Sequence, residues 1–296
     1  MTAAMRQGTG WAPSVEQRTD WVDASSAAAL HDLLDAPGPA PAAGAPLPPL
    51  WHWLAFLPRA AQANLAPDGH PRTGAFLPPM PGRRRMFAGG RIDLGVPLHV
   101  GQPLARTSSV TEVTDKQGGT GPLAFVTVQH LLDPAGSDVP GQVREINDIV
   151  YREPPSGGTR GAPTRAAASG SGAHDPSWAW HRDVAIDPTL LFRFSALTYN
   201  AHRIHYDRTY ATDVEGYPGL VVHGPLQAVL LAELVRVHLP ERCVTRFEFR
   251  SRAAAFDDGP LLLRGRHDTA TATLTAYDHR GTPTMTATAA FEELHP

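Results

Sequence analysis

Cysteine is nearly absent from the 296-residue sequence, which holds a single one, Cys243. An internal disulfide is thereby excluded, as is any metal cage built from several thiolates. Lysine is equally scarce: Lys116 is the one lysine among 26 basic residues, the rest being arginine. Arginine's planar fork suits phosphate and carboxylate recognition. Here, however, the arginines are scattered along the whole chain, and the abundance of Ala, Gly and Pro fits a GC-rich genome, so the skew marks no site. There is no basic surplus: 26 Lys and Arg face 29 Asp and Glu, a formal net charge of −3, which argues against a general nucleic-acid binder. No run of about 18 apolar residues is present, so no transmembrane helix is expected. The first residues, MTAAMRQGTGWAPSVEQ, lack the apolar core of a secretory signal. A soluble, cytoplasmic protein is expected.

What the chain does have is enough apolar residue to bury a core, 42% hydrophobic against 19% charged. Its length suggests about two domains of roughly 150 residues. A small, polar, turn-rich stretch from Pro154 to Ser177 cannot offset its own ordering entropy and reads as a flexible linker. The expected division is therefore residues 1–153, a linker over 154–177, and residues 178–296. A second Pro/Ala segment, Ala36 to Pro49, reads as a loop within the first half.

In the first half a helix is expected over Ala24–Leu34, where Leu30, Leu33 and Leu34 fall at helical spacing. The aromatic run LWHWLAF (Leu50–Phe56) follows, and its Trp51-His52-Trp53 cluster is read as core rather than as a ligand stack. Next come turns rich in Pro and Gly, including the Gly89-Gly90 pair. Strands are expected at Pro103–Thr114, Leu123–Leu132 and Val143–Tyr151, the first two joined by a hairpin around Lys116, Gly118, Gly119 and Gly121. In the second half Asp187 is a natural N-cap with Pro188 at the first helical position. Leu190, Leu191, Phe194 and Leu197 continue the helical period. A second helix, Leu226 to Leu239, is apolar on most faces and should be wrapped by a sheet. Strands return at Val244–Arg252, Leu261–Asp268, Thr271–Tyr277 and Thr284–Glu293. The halves read as two versions of one α+β architecture.

Two features could carry chemistry. Asn200-Ala-His202-Arg203-Ile-His205-Tyr206-Asp207 packs two histidines, an amide, an arginine and a carboxylate into eight residues at a helix end. Histidine exchanges protons near neutral pH; the alternative is a polar loop with capping side chains. Val221-Val222-His223-Gly224-Pro225 opens the buried helix, where first-turn N–H groups lack acceptors and suit a developing oxyanion. The alternative there is an ordinary helix start with a turn glycine and a structural His223. His202, His205 and Asp207 lack a metal-protease pattern, and no metal is expected. Arg203 either holds a ligand or braces the loop. Arg250 and Arg252 read most simply as a solvated strand edge, and Cys243 as a small buried residue.

The runs NAHRIHYDRTYA and YPGLVVHGPL resemble the MaoC-like, hydratase-2 type of hot-dog enzyme. His205 falls on that family's catalytic histidine and Gly224 on its oxyanion-hole glycine. Asn200 stands where the usual aspartate is, and His202 and Arg203 replace an Asn-Pro pair, so a second titrating group is missing. FRFSALTYNAHRIHYDRTYA and EGYPGLVVHGPL are similar to the type 2 hydroxyacyl-thioester dehydratases and to bacterial mesaconyl-C4-CoA and itaconyl-CoA hydratases. In the first half WHWLAF, GHPRTGAFLPP, RRRMFAGGRI and INDIVYRE resemble that subgroup's FAS1-like dehydratase domain.

The resemblance implies a double hot-dog fold, each unit an antiparallel sheet wrapped around a helix. The catalytic half would be C-terminal, with a non-catalytic N-terminal half that shapes the acyl pocket and supports coenzyme A. It implies reversible hydration of an enoyl-CoA, best matched by mesaconyl-C4-CoA to citramalyl-CoA. The implied catalytic residues are His205, Asn200 and Gly224. The implied substrate contacts are Arg203, His202, Tyr206, Arg250 and Arg252, with Arg203 nominated for a free distal carboxylate. No cofactor is implied, because coenzyme A belongs to the substrate; a homodimer of double hot dogs is admitted. The alternatives are an itaconyl-CoA hydratase, a dehydratase of longer 3-hydroxyacyl thioesters, a hot-dog thioesterase, or a non-catalytic acyl-CoA-binding protein.

Overall fold

The computed structural model describes residues 11–73, 75–118, 121–138, 142–153 and 172–293. The first half contains β1 (Val15–Asp20), α1 (Ala24–Leu33), β2 (Arg84–Leu94), β3 (Leu104–Gly118), β4 (Gly121–Pro134) and β5 (Val143–Arg152). The second contains β6 (Trp180–Val184), α2 (Pro188–Leu197), α3 (Gly224–His238), β7 (Arg242–Ser251), β8 (Leu261–His267), β9 (Thr271–Tyr277) and β10 (Pro283–Glu293). All ten strands join one antiparallel sheet in the order β1-β3-β4-β5-β2-β7-β10-β9-β8-β6. From its outer edge inward, the first half reads 1-3-4-5-2, and the second reads 6-8-9-10-7. The connectivity is the same, so the chain is a duplicated unit. This is the double hot-dog architecture that the resemblance implies. No helix among the described residues is long and apolar enough to cross a membrane.

The seam between the halves is β2 against β7, with Gly89 opposite Arg250 and Ile92 opposite Phe247. Here the sequence reading needs correction, since it placed Gly89 and Gly90 among turns. Both are glycines within a strand because neighbouring backbone comes too close for a side chain. A Cβ on Gly89 would lie 2.5 Å from the Phe249 carbonyl oxygen, and one on Gly90 2.8 Å from that of Ile146. A register shift between Phe87 and Gly89 further breaks the alternation by which a strand is recognised.

α3 is buried on all sides, with every residue from Leu226 to Val235 inside. It contains no internal Gly or Pro after the first turn, and each fully buried Leu or Val contributes roughly 1.5–3 kcal/mol. α2 begins at Asp187, whose carboxylate accepts the Leu190 N–H at 2.7 Å, as expected. α1 is capped in the same way by Asp23, which accepts Ser26 N–H at 2.9 Å. The halves differ in what the sheet surrounds. Between α1 and β2 the first half has only short helical turns at Trp51–Leu54 and Gln62–Asn64, in place of a second long helix. The prolines flanking that segment forbid a continuous helix. Trp51 fills the space instead, fully buried, its indole N–H donating to Glu233 of α3 at 3.1 Å.

The Gly118–Gly121 pairing joins β3 to β4 as the expected hairpin, while Gly119 lies outside the described residues. Residues 154–171 of the expected linker also lie outside them. Its last part is folded. Gly172–His174 forms a short helical turn, and Ala173 and Trp178 pack with Leu262 and Tyr277.

Candidate active site

α2 ends where Tyr199 adopts a left-handed backbone (φ 51°), so the next residue turns back and Asn200 N–H donates to the Ser195 carbonyl at 2.8 Å. Asn200 in turn accepts the His202 N–H on its side-chain oxygen at 3.0 Å. Arg203–His205 forms one tight helical turn. Ile204 is buried beneath it, and its carbonyl accepts Val221 N–H at 3.0 Å, which ties this loop to the strand-like entry of α3.

His205 is thereby fixed. Its Nδ1 lies 2.8 Å from the Val221 carbonyl, an oxygen that can only accept, so Nδ1 carries the proton and Nε2 keeps its lone pair. The ring stacks on His223 at 3.7 Å and meets His202 edge-on at 5.3 Å. Burial pushes the His205 pKa down to about 4, against the opposing pull of the Val221 carbonyl. The imidazole is therefore neutral at neutral pH, as a general base must be. His223 is fully buried, 2.8 Å from the Ser195 hydroxyl, and its own pKa is lowered by burial and by His205. Gly224 starts α3, and a Cβ there would approach Phe87 of β2 to 3.2 Å.

The loop is also held from the other half of the molecule. Asp68 and Pro67 carbonyls accept from Arg203, the first from its backbone N–H at 2.8 Å and the second from its guanidinium at 3.1 Å. Gly69 packs so closely that a Cβ on it would sit 1.8 Å from the Ala201 carbonyl oxygen. The His70 ring lies 3.9 Å from that of His202, tilted against it at 41°, and is itself held by Asp68 at 3.1 Å. Burial lowers the pKa of both His70 and His202, and the Arg85 guanidinium depresses both further. Asp68, His70 and His202 bring three ligand-type atoms within 4.8 Å of one another. Asp68 is already engaged by His70, and the positive charge of Arg85 opposes a cation there.

A cavity of about 590 Å³ opens beside this loop and runs between the halves. Of the residues expected from sequence, Asn200 and Tyr206 are in its wall, and Tyr206 is steadied by a 3.0 Å bond to the Ala201 carbonyl. His202, His205 and Gly224 are set back from it: His70 of the wall lies against His202, whose ring meets His205, and Phe87 and Pro225 of the wall lie beside Gly224. Arg203 is not in the wall. Its guanidinium is taken up by Asp207 at 2.8 Å and by Pro67, over the Tyr210 ring at 4.1 Å, so it braces the loop. Arg250 and Arg252 are exposed, and strand alternation at buried Phe249 sends them to the face away from the cavity.

The first half supplies wall residues that the sequence left unassigned. Glu145 is buried, accepting from His52 at 3.0 Å, Trp53 at 2.9 Å and Asn147 at 2.7 Å. Burial pushes its pKa up, but the His52 contact and its other partners outweigh this and hold it at about 2. Trp51 is core as expected, whereas its neighbours His52 and Trp53 reach the cavity wall. Ser195 and Asp68 were also missed, for each is a common residue whose role comes from a distant partner. The GHP within GHPRTGAFLPP was the one local signal.

A sequence model of hydroxyacyl-thioester dehydratase type 2 matches residues 50–257. The chain is 49% identical over 278 residues to a mesaconyl-C(4)-CoA hydratase of Chloroflexus aurantiacus, covering 94% of this chain and 95% of that one. It is 28% identical over 239 residues to a mitochondrial hydroxyacyl-thioester dehydratase type 2 of Schizosaccharomyces pombe, covering 73% and 76% of the two chains. Among solved structures, a MaoC-like dehydratase from Phytophthora capsici superposes with a TM-score of 0.63 at 13% identity, over 96% of each chain. At that identity the likeness speaks for the fold alone.

Proposed function

Since the chain belongs to the hydroxyacyl-thioester dehydratase type 2 family, and so to the hydratases and dehydratases, we propose that it hydrates mesaconyl-C4-CoA to citramalyl-CoA. The observation that carries the choice of substrate is the 49% identity to a hydratase of that name over nearly the whole of both chains.

His205 Nε2 takes a proton from water as its oxygen attacks C3 of the enoyl thioester. Electron density moves onto the thioester oxygen, where the Gly224 N–H, in the first turn of α3, stabilises the enolate. The imidazolium then returns a proton to C2, so addition is syn and His205 ends as it began. Asn200 holds the water through its amide NH₂, because its carbonyl oxygen already serves the His202 N–H. The thioester lies against Asn200 and Pro225, and the side chains of His70 and Phe87 give way to let it reach His205 and Gly224. The first half contributes the walls of the acyl pocket and the loop that braces Arg203. One active site per chain is expected, since among the described residues the first half shows no counterpart of the Asn200–His205 loop.

The test follows enoyl-thioester absorbance and free thiol together over a panel of acyl-CoAs. Loss of the double bond without thiol release, fastest with mesaconyl-C4-CoA, is the expected result. Thiol release would make the protein a thioesterase, and tight binding without turnover would make it an acyl-CoA carrier; either overturns the proposal.

A further inference from the structure

The proposed substrate carries its free carboxylate on C3, the same carbon that receives water. Whatever cation holds that carboxylate must therefore stand close to the catalytic loop. Arg203, on the loop itself, is engaged by Asp207 and the Pro67 carbonyl and does not reach the cavity.

Two other arginines do line the cavity, Arg85 and Arg106. Arg106 lies on the far wall beside His130 and Leu132, with its guanidinium 4.4 Å over the Phe56 ring. It feels the charge of buried Glu145, the one carboxylate in the cavity wall, which would repel a substrate carboxylate brought there. Arg85 stands on β2 at the other end. It is close enough to His70 and His202 to act on both electrostatically, and the Asp68 charge that it also feels is already held by the His70 ring and N–H.

Arg85 is also the odd member of its own run. Arg83 pairs with Asp115 and Glu153, and Arg84 pairs with Glu215 at 2.9 Å. Among the described residues Arg85 forms no ion pair; its half-buried side chain lines the cavity beside the buried Tyr151 hydroxyl rather than a carboxylate. A cation in that position, unmatched by a carboxylate of the protein, is a cost unless a ligand supplies the anion. Strand alternation puts Arg85 on the same face as Phe87, roughly 6.6 Å along β2, and Phe87 is the residue that touches Gly224. In a four-carbon diacid thioester the carboxylate carbon and the thioester carbon are roughly 4 Å apart at ordinary bond lengths. With a hydrogen bond at each end, such a substrate spans from the Gly224 N–H to a guanidinium reaching from position 85.

We infer that Arg85 is the specificity-determining residue of this enzyme, binding the C3 carboxylate of a branched dicarboxylic enoyl-CoA. The inference rests on the proposed hydratase reading and gives it a residue. Arginine's bidentate fork would fix the carboxylate in plane and so orient C3 toward the water held by Asn200.

The test compares kcat/KM for mesaconyl-C4-CoA with kcat/KM for crotonyl-CoA, which has the double bond but no carboxylate. Wild type is expected to favour the diacid. Arg85→Gln should lower that ratio by about 10- to 100-fold, the size of a lost charged hydrogen bond, mainly through KM. Arg85→Lys should recover part of it, and both proteins should keep the wild-type circular dichroism. A ratio within threefold of wild type in Arg85→Gln overturns the inference while leaving the hydratase reading intact. So does a ratio that survives in Arg85→Gln and collapses in Arg106→Gln. A wild type that hydrates crotonyl-CoA but ignores the diacid overturns the substrate reading itself.

Discussion

Gly69 lies in the half of the molecule opposite the proposed catalytic loop, yet its replacement by alanine should disable catalysis. Its backbone is left-handed (φ +92°), and a Cβ there would lie 1.8 Å from the Ala201 carbonyl oxygen. Holding a non-glycine residue in that region costs about 1–3 kcal/mol. The collision adds a displacement. To regain the 3.0 Å that real Cβ atoms keep, the Gly69 loop and the Ala201 peptide must separate by about 1.2 Å. That movement stretches the Arg203 bonds to Asp68 and Pro67 and the ring contact of His70 with His202. A misplacement of about 1 Å can cost on the order of 10²-fold in rate. Turnover of mesaconyl-C4-CoA by Gly69→Ala should therefore fall about 100-fold, while thermal unfolding shifts by the backbone strain plus the weakened Arg203 contacts. Gly38→Ala is the control, since Gly38 has a similar φ of +79° but nothing within 4 Å of the added atom. It should show the strain in its melting temperature and near-normal turnover. If Gly69→Ala also keeps kcat within about threefold of wild type, the coupling between the loop and the catalytic turn is wrong.

The depressed His205 pKa predicts that kcat/KM stays level from neutral pH down to about 4 and then falls about tenfold per unit, as the base is protonated. A midpoint near the ordinary histidine value of about 6.5 would contradict this. The same group affects stability: unfolded histidine binds a proton near 6.5 and folded His205 near 4, so its contribution is lost as pH falls between them. Asn200→Asp should retain activity and add a second limb to the pH–rate profile, because a titrating carboxylate then shares the water; an unaltered profile argues against Asn200 touching it. Glu145→Ala leaves His52, Trp53 and Asn147 without their shared acceptor and should destabilise the fold by about 3–5 kcal/mol in a denaturant melt. With Glu145 titrating near 2 in the fold and at about 4.3 unfolded, acid should erode that contribution progressively as pH falls from about 4.3 to about 2.

The elements legible from the residues were those governed by local rules. The helix over Ala24–Leu34, the helix capped by Asp187, the apolar α3 and strands β7 to β10 all fall within a few residues of their expected positions, whereas the edge strands β1 and β6 were not foreseen. β2 was hidden because its glycines answer to backbone in β5 and β7, and no sequence window contains both. The inequality of the two helical cores was similarly unreadable. The prolines around it exclude a helix, but that Trp51 fills the space with its N–H on Glu233, far along the chain, shows only in the fold. In the site, Asn200, His205 and Gly224 lie within 25 residues and announced themselves by motif. Their bracing by Asp68, Gly69 and His70 crosses from one half to the other, and the carboxylate-holding role moved from Arg203 to Arg85 once partners were visible. Arginine type was readable; which arginine faces the cavity without a carboxylate beside it was not.

His205→Ala addresses the proton-transfer step head-on. With mesaconyl-C4-CoA at saturation and folding verified by circular dichroism, kcat should fall by about 10²–10⁴-fold, the usual worth of a positioned general acid/base. A folded His205→Ala protein that hydrates the substrate at near wild-type rate would contradict the mechanism.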